Sequence, residues 1–171
     1  AAVVAVLLQA GLSWQAIQAG LNRVALPGGR LRLLSPLPDL LIIDDTYNAN
    51  ASSMKAAIGV LMEQLAQTHA FVMGPMGELG DESEALHQEV VDYASAAGVN
   101  AFLASGPLSE ALVSRFGGGT TSDLPEVLAD ALWQVYQQTG SMAVLVKGSR
   151  SARMERVVEA LMARASRCQS D

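Results

Sequence analysis

The sequence is poor in the residues that build covalent or metal-held frameworks. It has one cysteine, Cys168, and two histidines, His69 and His87, among 171 residues. A single thiol closes no internal disulfide, which fits a reducing cytoplasm. So few soft ligands argue against a structural zinc site. Basic residues are also scarce, 11 Lys and Arg against 17 Asp and Glu, for a net charge of −6. They are spread thinly until the C-terminal helix, which argues against nucleic acid as a partner. A local pocket on such a chain can still be positive and take a small anion. No apolar run reaches the roughly 18 residues that span a bilayer. The nearest, "AAVVAVLLQA", is Ala-rich and lacks the basic start and cleavage pattern of a signal peptide. It reads as a helix. No G-x-x-x-x-G-K-[ST] phosphate loop occurs anywhere, which excludes a self-contained ATPase of that type. Internal repeats and low-complexity tracts are absent, and so is an initiator Met. The chain is therefore expected to be part of a longer protein.

Half of the residues are hydrophobic (50%), enough for a sizeable core in one compact domain with a piece of a second. The first segment is helical in pattern: Ser13 can cap a helix in which Trp14, Ile17 and Leu21 recur at helical spacing. "ALPGGR", with Pro27, Gly28 and Gly29, breaks this pattern and reads as a linker. Residues 1–26 are thus expected to be a helical remnant of a preceding domain, and 27–171 a domain of their own. From Leu31 onward, short aliphatic runs alternate with longer amphipathic stretches. Strands are expected at 30–34, 40–44, 70–74, 100–105 and 142–147, and helices at 53–67, 82–97, 107–115, 124–138 and 151–165. "GGGTT" (117–121) is a loop, or a loop leading into one more short strand. Near-continuous hydrophobic strands imply a sheet buried on both faces. Their alternation with helices implies an open, mainly parallel, Rossmann-like α/β sheet with helices on both sides.

Ligands bind such sheets at the carboxyl ends of the strands, and three loops there are unusual. In "DDTYNANASSM", Ser52 or Ser53 can cap the next helix and one Asn can make a turn. That leaves Asp45, Tyr47, Asn48 and Asn50 over. A carboxylate just past a strand can accept from a ribose, and Asn both donates and accepts, as an adenine edge requires. In "KGSRSARMERV", Lys147 ends a buried strand, Gly148 allows a tight turn, and Ser149 or Ser151 can cap a helix. A free helix N-terminus beside a Lys and an Arg suits an anion. The plain alternative is an ordinary capped turn. "GPMGELGDES" spaces Gly74, Gly77 and Gly80 by three, which is not the dinucleotide fingerprint. On its own it reads as a flexible loop capped by Asp81 or Ser83. His87, alone on a helix, reads as structural or solvated. His69 reads as a surface residue, and Trp14, Trp133 and the methionines as packing.

Taken together, these segments resemble the C-terminal domain of the Mur ligase family. They are most like the type that joins D-alanyl-D-alanine to a UDP-N-acetylmuramoyl-tripeptide (the MurF type). The family's D-D-[ST]-Y-N-A-N-P-x-S-M stretch corresponds to Asp44 through Met54. Its G-D-M-x-E-L-G loop resembles Gly74 to Gly80, followed by E-S-E-x-x-H at Glu82 to His87, and its V-K-G-S-R motif matches Val146 to Arg150. The arginine of its P-G-R linker falls on Arg30. There are two departures. Pro75 stands where the family usually has Asp, and Ala51 where it has Pro.

The resemblance implies an ATP-dependent ligase of peptidoglycan-precursor synthesis. ATP phosphorylates the tripeptide carboxylate, and the dipeptide amine attacks the acyl phosphate. It implies nucleotide contacts from Arg30, Asp45, Tyr47, Asn48 and Asn50, with Asp45 on the ribose. It implies a catalytic and substrate-binding Lys147, with Ser149, Arg150, Glu78 and His87 on the substrate side. ATP and magnesium are the implied cofactors, the magnesium ligands lying mainly in the central domain. Small-molecule substrates, a monomer and a cytoplasmic location follow, and the chain by itself is expected to be inactive. A folylpolyglutamate-synthase-like ligase domain and a non-catalytic nucleotide-binding module are the alternatives. "YNAN" and "MGELG" favour the first assignment over the former.

Overall fold

The computed structural model describes residues 2–21 and 28–168. The expected linker residue Pro27 and the boundary at 26 lie outside the described residues. Two short helices, α1 (Ala2–Gln9) and α2 (Trp14–Leu21), pack on each other. Ser13 Oγ accepts from Ala16 N at 3.2 Å, as its place before α2 anticipates.

A six-stranded sheet follows, in the order β1-β2-β6-β3-β4-β5. Its strands are β1 (Arg32–Leu37), β2 (Leu40–Asp45), β3 (Thr68–Met73), β4 (Ala101–Ala104), β5 (Thr120–Thr121) and β6 (Met142–Lys147). All pairs are parallel except β1–β2, an antiparallel hairpin that places β1 at an edge. The expected strand at 30–34 is therefore displaced. Leu31 is left-handed (φ 49°) and cannot extend the strand, whereas Pro36 is tolerated on an edge. Nor is β1 buried on both faces, since Leu33 is 55% exposed. The "GGGTT" segment does yield a further strand, two residues long.

The central strands split cleanly by side-chain alternation. Ile43, Phe71, Ala143 and Leu145 face α3 (Ala51–Met62), α4 (Ser83–Ala97) and α5 (Ser109–Phe116). Ile42, Val72, Val144 and Val146 face α6 (Pro125–Thr139) and α7 (Glu155–Cys168). Helix α7 thus runs to Cys168, past the expected end at 165. Helix α3 stops at Met62, earlier than its apolar pattern, because Gln64 Nε2 caps the Val60 carbonyl at 2.7 Å and the chain turns toward β3. Helix α7 starts later than expected. A three-residue 3₁₀ turn, Arg150–Ala152, and a left-handed Arg153 (φ 51°) precede it.

Candidate active site

Strands β2, β6 and β3 are parallel, so their carboxyl ends share one edge of the sheet. The three unusual loops gather there. They line a cleft of about 720 Å³, with Tyr47, Asn48 and Asn50 on one lip, Gly77 and Glu78 on another, and Ser149 and Arg150 on the third. The glycines make the crossing possible. The Gly74 N–H donates to the Lys147 carbonyl at 2.8 Å and the Ser149 N–H to the Pro75 carbonyl at 2.8 Å. A β-carbon on Gly148 would stand 3.1 Å from Gly74 Cα and 2.6 Å from Met154 Cγ. Met154, which the sequence did not single out, fills the space both glycines leave. The Pro75 ring lies against Gly106, and its carbonyl accepts from Ser149 N.

A second recess of about 460 Å³ opens beside the first lip, lined by Arg30, Asp45, Tyr47, Asn50 and Lys147 among others. The Arg30 guanidinium lies over the Tyr47 ring, 4.3 Å from its centroid. Segment 29–31 is bound to the lip by its backbone. Tyr47 N donates to the Gly29 carbonyl at 2.9 Å, and Leu31 N to Asp45 Oδ1 at 3.0 Å. Gly29 (φ 76°) is required, since a β-carbon there would meet Thr46 Oγ1 and Tyr47 N, each at 2.9 Å. Asp44, buried below, takes the Thr46 hydroxyl at 2.7 Å and so shapes the turn.

Each expected site residue has a definite setting. Asp45 and Lys147, assigned to different substrates by the sequence argument, are each other's partners. Lys147 Nζ donates to Asp45 Oδ2 at 2.5 Å and to the Asn48 carbonyl at 2.9 Å, and the residue is only 2% exposed. Its anionic partner is therefore inside the protein. Asn50, and neither Ser52 nor Ser53, is the N-cap of α3. Ser53 N donates to Asn50 Oδ1 at 2.8 Å, and Asn50 N donates to Ser53 Oγ at 3.1 Å, a reciprocal capping box. Ala51 sits at the first helical position, where the family's proline would also fit. Asn48 Oδ1 accepts from Ala49 N at 2.9 Å.

The helix start expected at "KGSR" is displaced. A 3₁₀ turn intervenes, and α7 opens on Glu155, which draws Arg150 to 3.5 Å and Arg153 to 4.0 Å. Arg150 itself remains 67% exposed along its side chain and borders the cleft. Ser149 is buried, with its Oγ 3.1 Å from Ser151 Oγ. Glu78 is exposed in a left-handed conformation (φ 60°) that holds the loop against the cleft. His87 is buried and uses both ring nitrogens. Nε2 accepts from Met76 N at 2.9 Å, so Nδ1 carries the proton and donates to the Ser83 carbonyl at 2.6 Å. The ring suspends the "GPMG" segment from α4. Among the described residues no three His, Cys, Asp or Glu converge to hold a metal ion. No helix among them is long and apolar enough to cross a membrane.

Comparison with known proteins adds three findings. The family model "Mur ligase, glutamate ligase domain" matches residues 29–150. The chain is 39% identical over 160 residues to the UDP-N-acetylmuramoyl-tripeptide--D-alanyl-D-alanine ligase of Escherichia coli, covering 94% of this chain and 35% of that protein. It is 36% identical over 146 residues to the same-named ligase of Buchnera aphidicola, covering 85% and 32%. The chain thus spans about a third of the length of the curated relatives it matches. Among solved structures, MurF from Acinetobacter baumannii superposes with a TM-score of 0.82 at 32% identity, covering 94% of this chain and 36% of that one. MurF ligase from Thermotoga maritima in complex with ADP gives a TM-score of 0.68 at 25% identity, covering 85% and 33%.

Proposed function

The chain belongs to the Mur ligase family, and from that membership we propose that it is the C-terminal domain of an ATP-dependent amide ligase. The ligase joins D-alanyl-D-alanine to UDP-N-acetylmuramoyl-tripeptide in the synthesis of peptidoglycan precursors. The observation that carries the reading is the convergence of the three family-like loops on one cleft at the carboxyl edge of the sheet. Relatives named for this reaction support it.

In this reading residues 27–171 are the closing domain and residues 1–26 the end of the central domain. The Arg30–Tyr47 stack and the Asn48 and Asn50 amides take the nucleotide, with Asp45 beside the ribose; the ADP complex of the Thermotoga protein supports a nucleotide role. Exposed Arg150 and Glu78, with Ser149, border the dipeptide and the acyl phosphate. A guanidinium there steadies the charge that develops as the amine attacks, and closure of the cleft excludes water that would hydrolyse the acyl phosphate. Magnesium accompanies ATP in such chemistry. The described residues do not form a metal site of their own. The chain alone, having no phosphate-cradling loop, binds ATP weakly and does not turn over. The intact ligase works in the cytoplasm as a monomer.

The test is a chimera in which this chain replaces the matching 160 residues of the Escherichia coli ligase. Formation of the UDP-N-acetylmuramoyl-pentapeptide that requires ATP, tripeptide and D-alanyl-D-alanine together supports the reading. A folded chimera that binds ATP yet makes no pentapeptide refutes it.

A further inference from the structure

We propose that Lys147 is a positioning residue that latches segment 29–31 to the nucleotide lip, and that it does not touch substrate. The inference deepens the ligase reading and rests on it for its kinetic consequence, although the latch itself does not.

Lys147 and Asp45 are 102 residues apart in sequence but side by side in register, at the ends of β6 and β2. Alternation puts Lys147 on the same face as Ala143 and Leu145, toward α3. There its ammonium is enclosed, with one donor on Asp45 Oδ2 and another on the Asn48 carbonyl. A side chain that is 3% exposed has no ammonium to offer an incoming dipeptide unless the cluster opens. What Lys147 does control is the orientation of the Asp45 carboxylate. With Oδ2 fixed on Lys147, Oδ1 is aimed at Leu31 N–H. That bond holds Leu31 at φ 49°, a conformation unfavourable for a branched side chain and maintained only by its surroundings. The left-handed Gly29 and Leu31 on either side carry Arg30 over Tyr47. The Asn48 carbonyl, held by the same ammonium, fixes the next residue of the lip. One buried amino group thus sets the backbone of both halves of the nucleotide recess, and it lies directly before the "GSR" turn that borders the other lip.

The prediction is specific because a neutral pair can replace the ionic one. In Lys147→Met, Asp45 has no counter-charge and swings to solvent, releasing Leu31. In the double variant Asp45→Asn/Lys147→Met, no unpaired charge is left and the amide keeps an oxygen for Leu31 N–H. Amide hydrogen exchange on the 171-residue chain reads this residue by residue. Leu31 should lose protection by about tenfold or more in Lys147→Met, the factor expected for one charge-assisted hydrogen bond. Val72 and Leu103, in the sheet core, report any global loss. The double variant should restore Leu31 to within a few-fold of wild type. If Lys147→Met does not fold, Lys147→Gln, which keeps one donor for Asn48, carries the same comparison.

Wild-type protection of Leu31 in the single variant, or loss equal at Leu31, Val72 and Leu103 with no recovery in the double, overturns the latch. In the chimera, Lys147→Met should raise the KM for ATP with little change in that for the dipeptide. A dipeptide-specific defect in Lys147→Met would put the ammonium on substrate and overturn the proposal. An inactive wild-type chimera would count against the ligase reading, while the exchange result on Leu31 would stand.

Discussion

Asn50 is asked to do two things, and substitution can separate them. As the N-cap of α3 it accepts from Ser53 N at 2.8 Å. As part of the lip it lines the recess. Asn50→Ala removes the acceptor and leaves one helix N–H unpaired, at a cost of about 1 kcal/mol. For a chain of this size that lowers the melting temperature by about 2–4 °C. Asn50→Asp keeps the oxygen in place and adds a negative charge at the helix N-terminus, which is worth about 0.3–1 kcal/mol in the stabilising direction. It deletes the N–H₂ that the proposed reading sets against the nucleotide and brings a negative charge to the recess. The two variants should therefore diverge in thermal melts, alanine below wild type and aspartate at or above it. They should converge in the chimera, each raising the KM for ATP, by about tenfold if a hydrogen bond near 1.4 kcal/mol is lost. An unchanged melting temperature for Asn50→Ala would refute the cap. An unchanged ATP constant for Asn50→Asp would reduce Asn50 to a cap and remove one of the lip's substrate contacts.

Gly148→Ala should lower the urea midpoint by an amount corresponding to about 1–3 kcal/mol, the usual range for overpacking. Its β-carbon has Met154 Cγ at 2.6 Å and the Gly74 backbone at 3.1 Å, so trimming Met154 should recover only part of the loss. His87→Ala strands the Met76 N–H in a buried site and should cost about 1–3 kcal/mol for that group alone; wild-type stability would show that the loop does not hang from the ring. Far from the cleft, the Arg115 guanidinium hydrogen-bonded to Asp92 holds that carboxyl below its ordinary 3.8. A lowered carboxyl pKa stabilises the fold above the unfolded value and loses that contribution as pH falls through the folded one. Asp92→Asn should therefore leave stability at pH 7 little changed, the pair being exposed, and flatten the acid limb of a pH–melting curve below 3.8.

The parts of the fold that follow from continuous patterns were legible. Aliphatic runs marked β2, β3, β4 and β6, and the switch to helical spacing marked the helices between them. The antiparallel β1 was not, because Leu33 and Leu34 look like any buried pair until the left-handed Leu31 and the hairpin at 38–39 fix their direction. The cleft was legible because its loops carry more polar residues than turns require. Local competition among capping residues was not: Ser52, Ser53 and Asn50 are all competent caps, and the reciprocal bond between Asn50 and Ser53 decides. Least legible was the Asp45–Lys147 pair, since partners 102 residues apart carry no local signal of each other. The sequence set Lys147 beside a turn suited to an external anion, which pointed away from Asp45.

The division of the cleft between two substrates is the centre of this account, and one paired measurement addresses it. KM values for ATP and for D-alanyl-D-alanine are determined in the chimera carrying Tyr47→Ala and, separately, Arg150→Ala. Tyr47 supplies a ring to the nucleotide lip and the platform for Arg30. Losing an aromatic contact with a base is worth about 1–3 kcal/mol. The account predicts a rise of about tenfold or more in the ATP constant for Tyr47→Ala, with the dipeptide constant nearly unchanged, and the reverse pattern for Arg150→Ala. Equal shifts in both constants, or shifts that cross the other way, would contradict it.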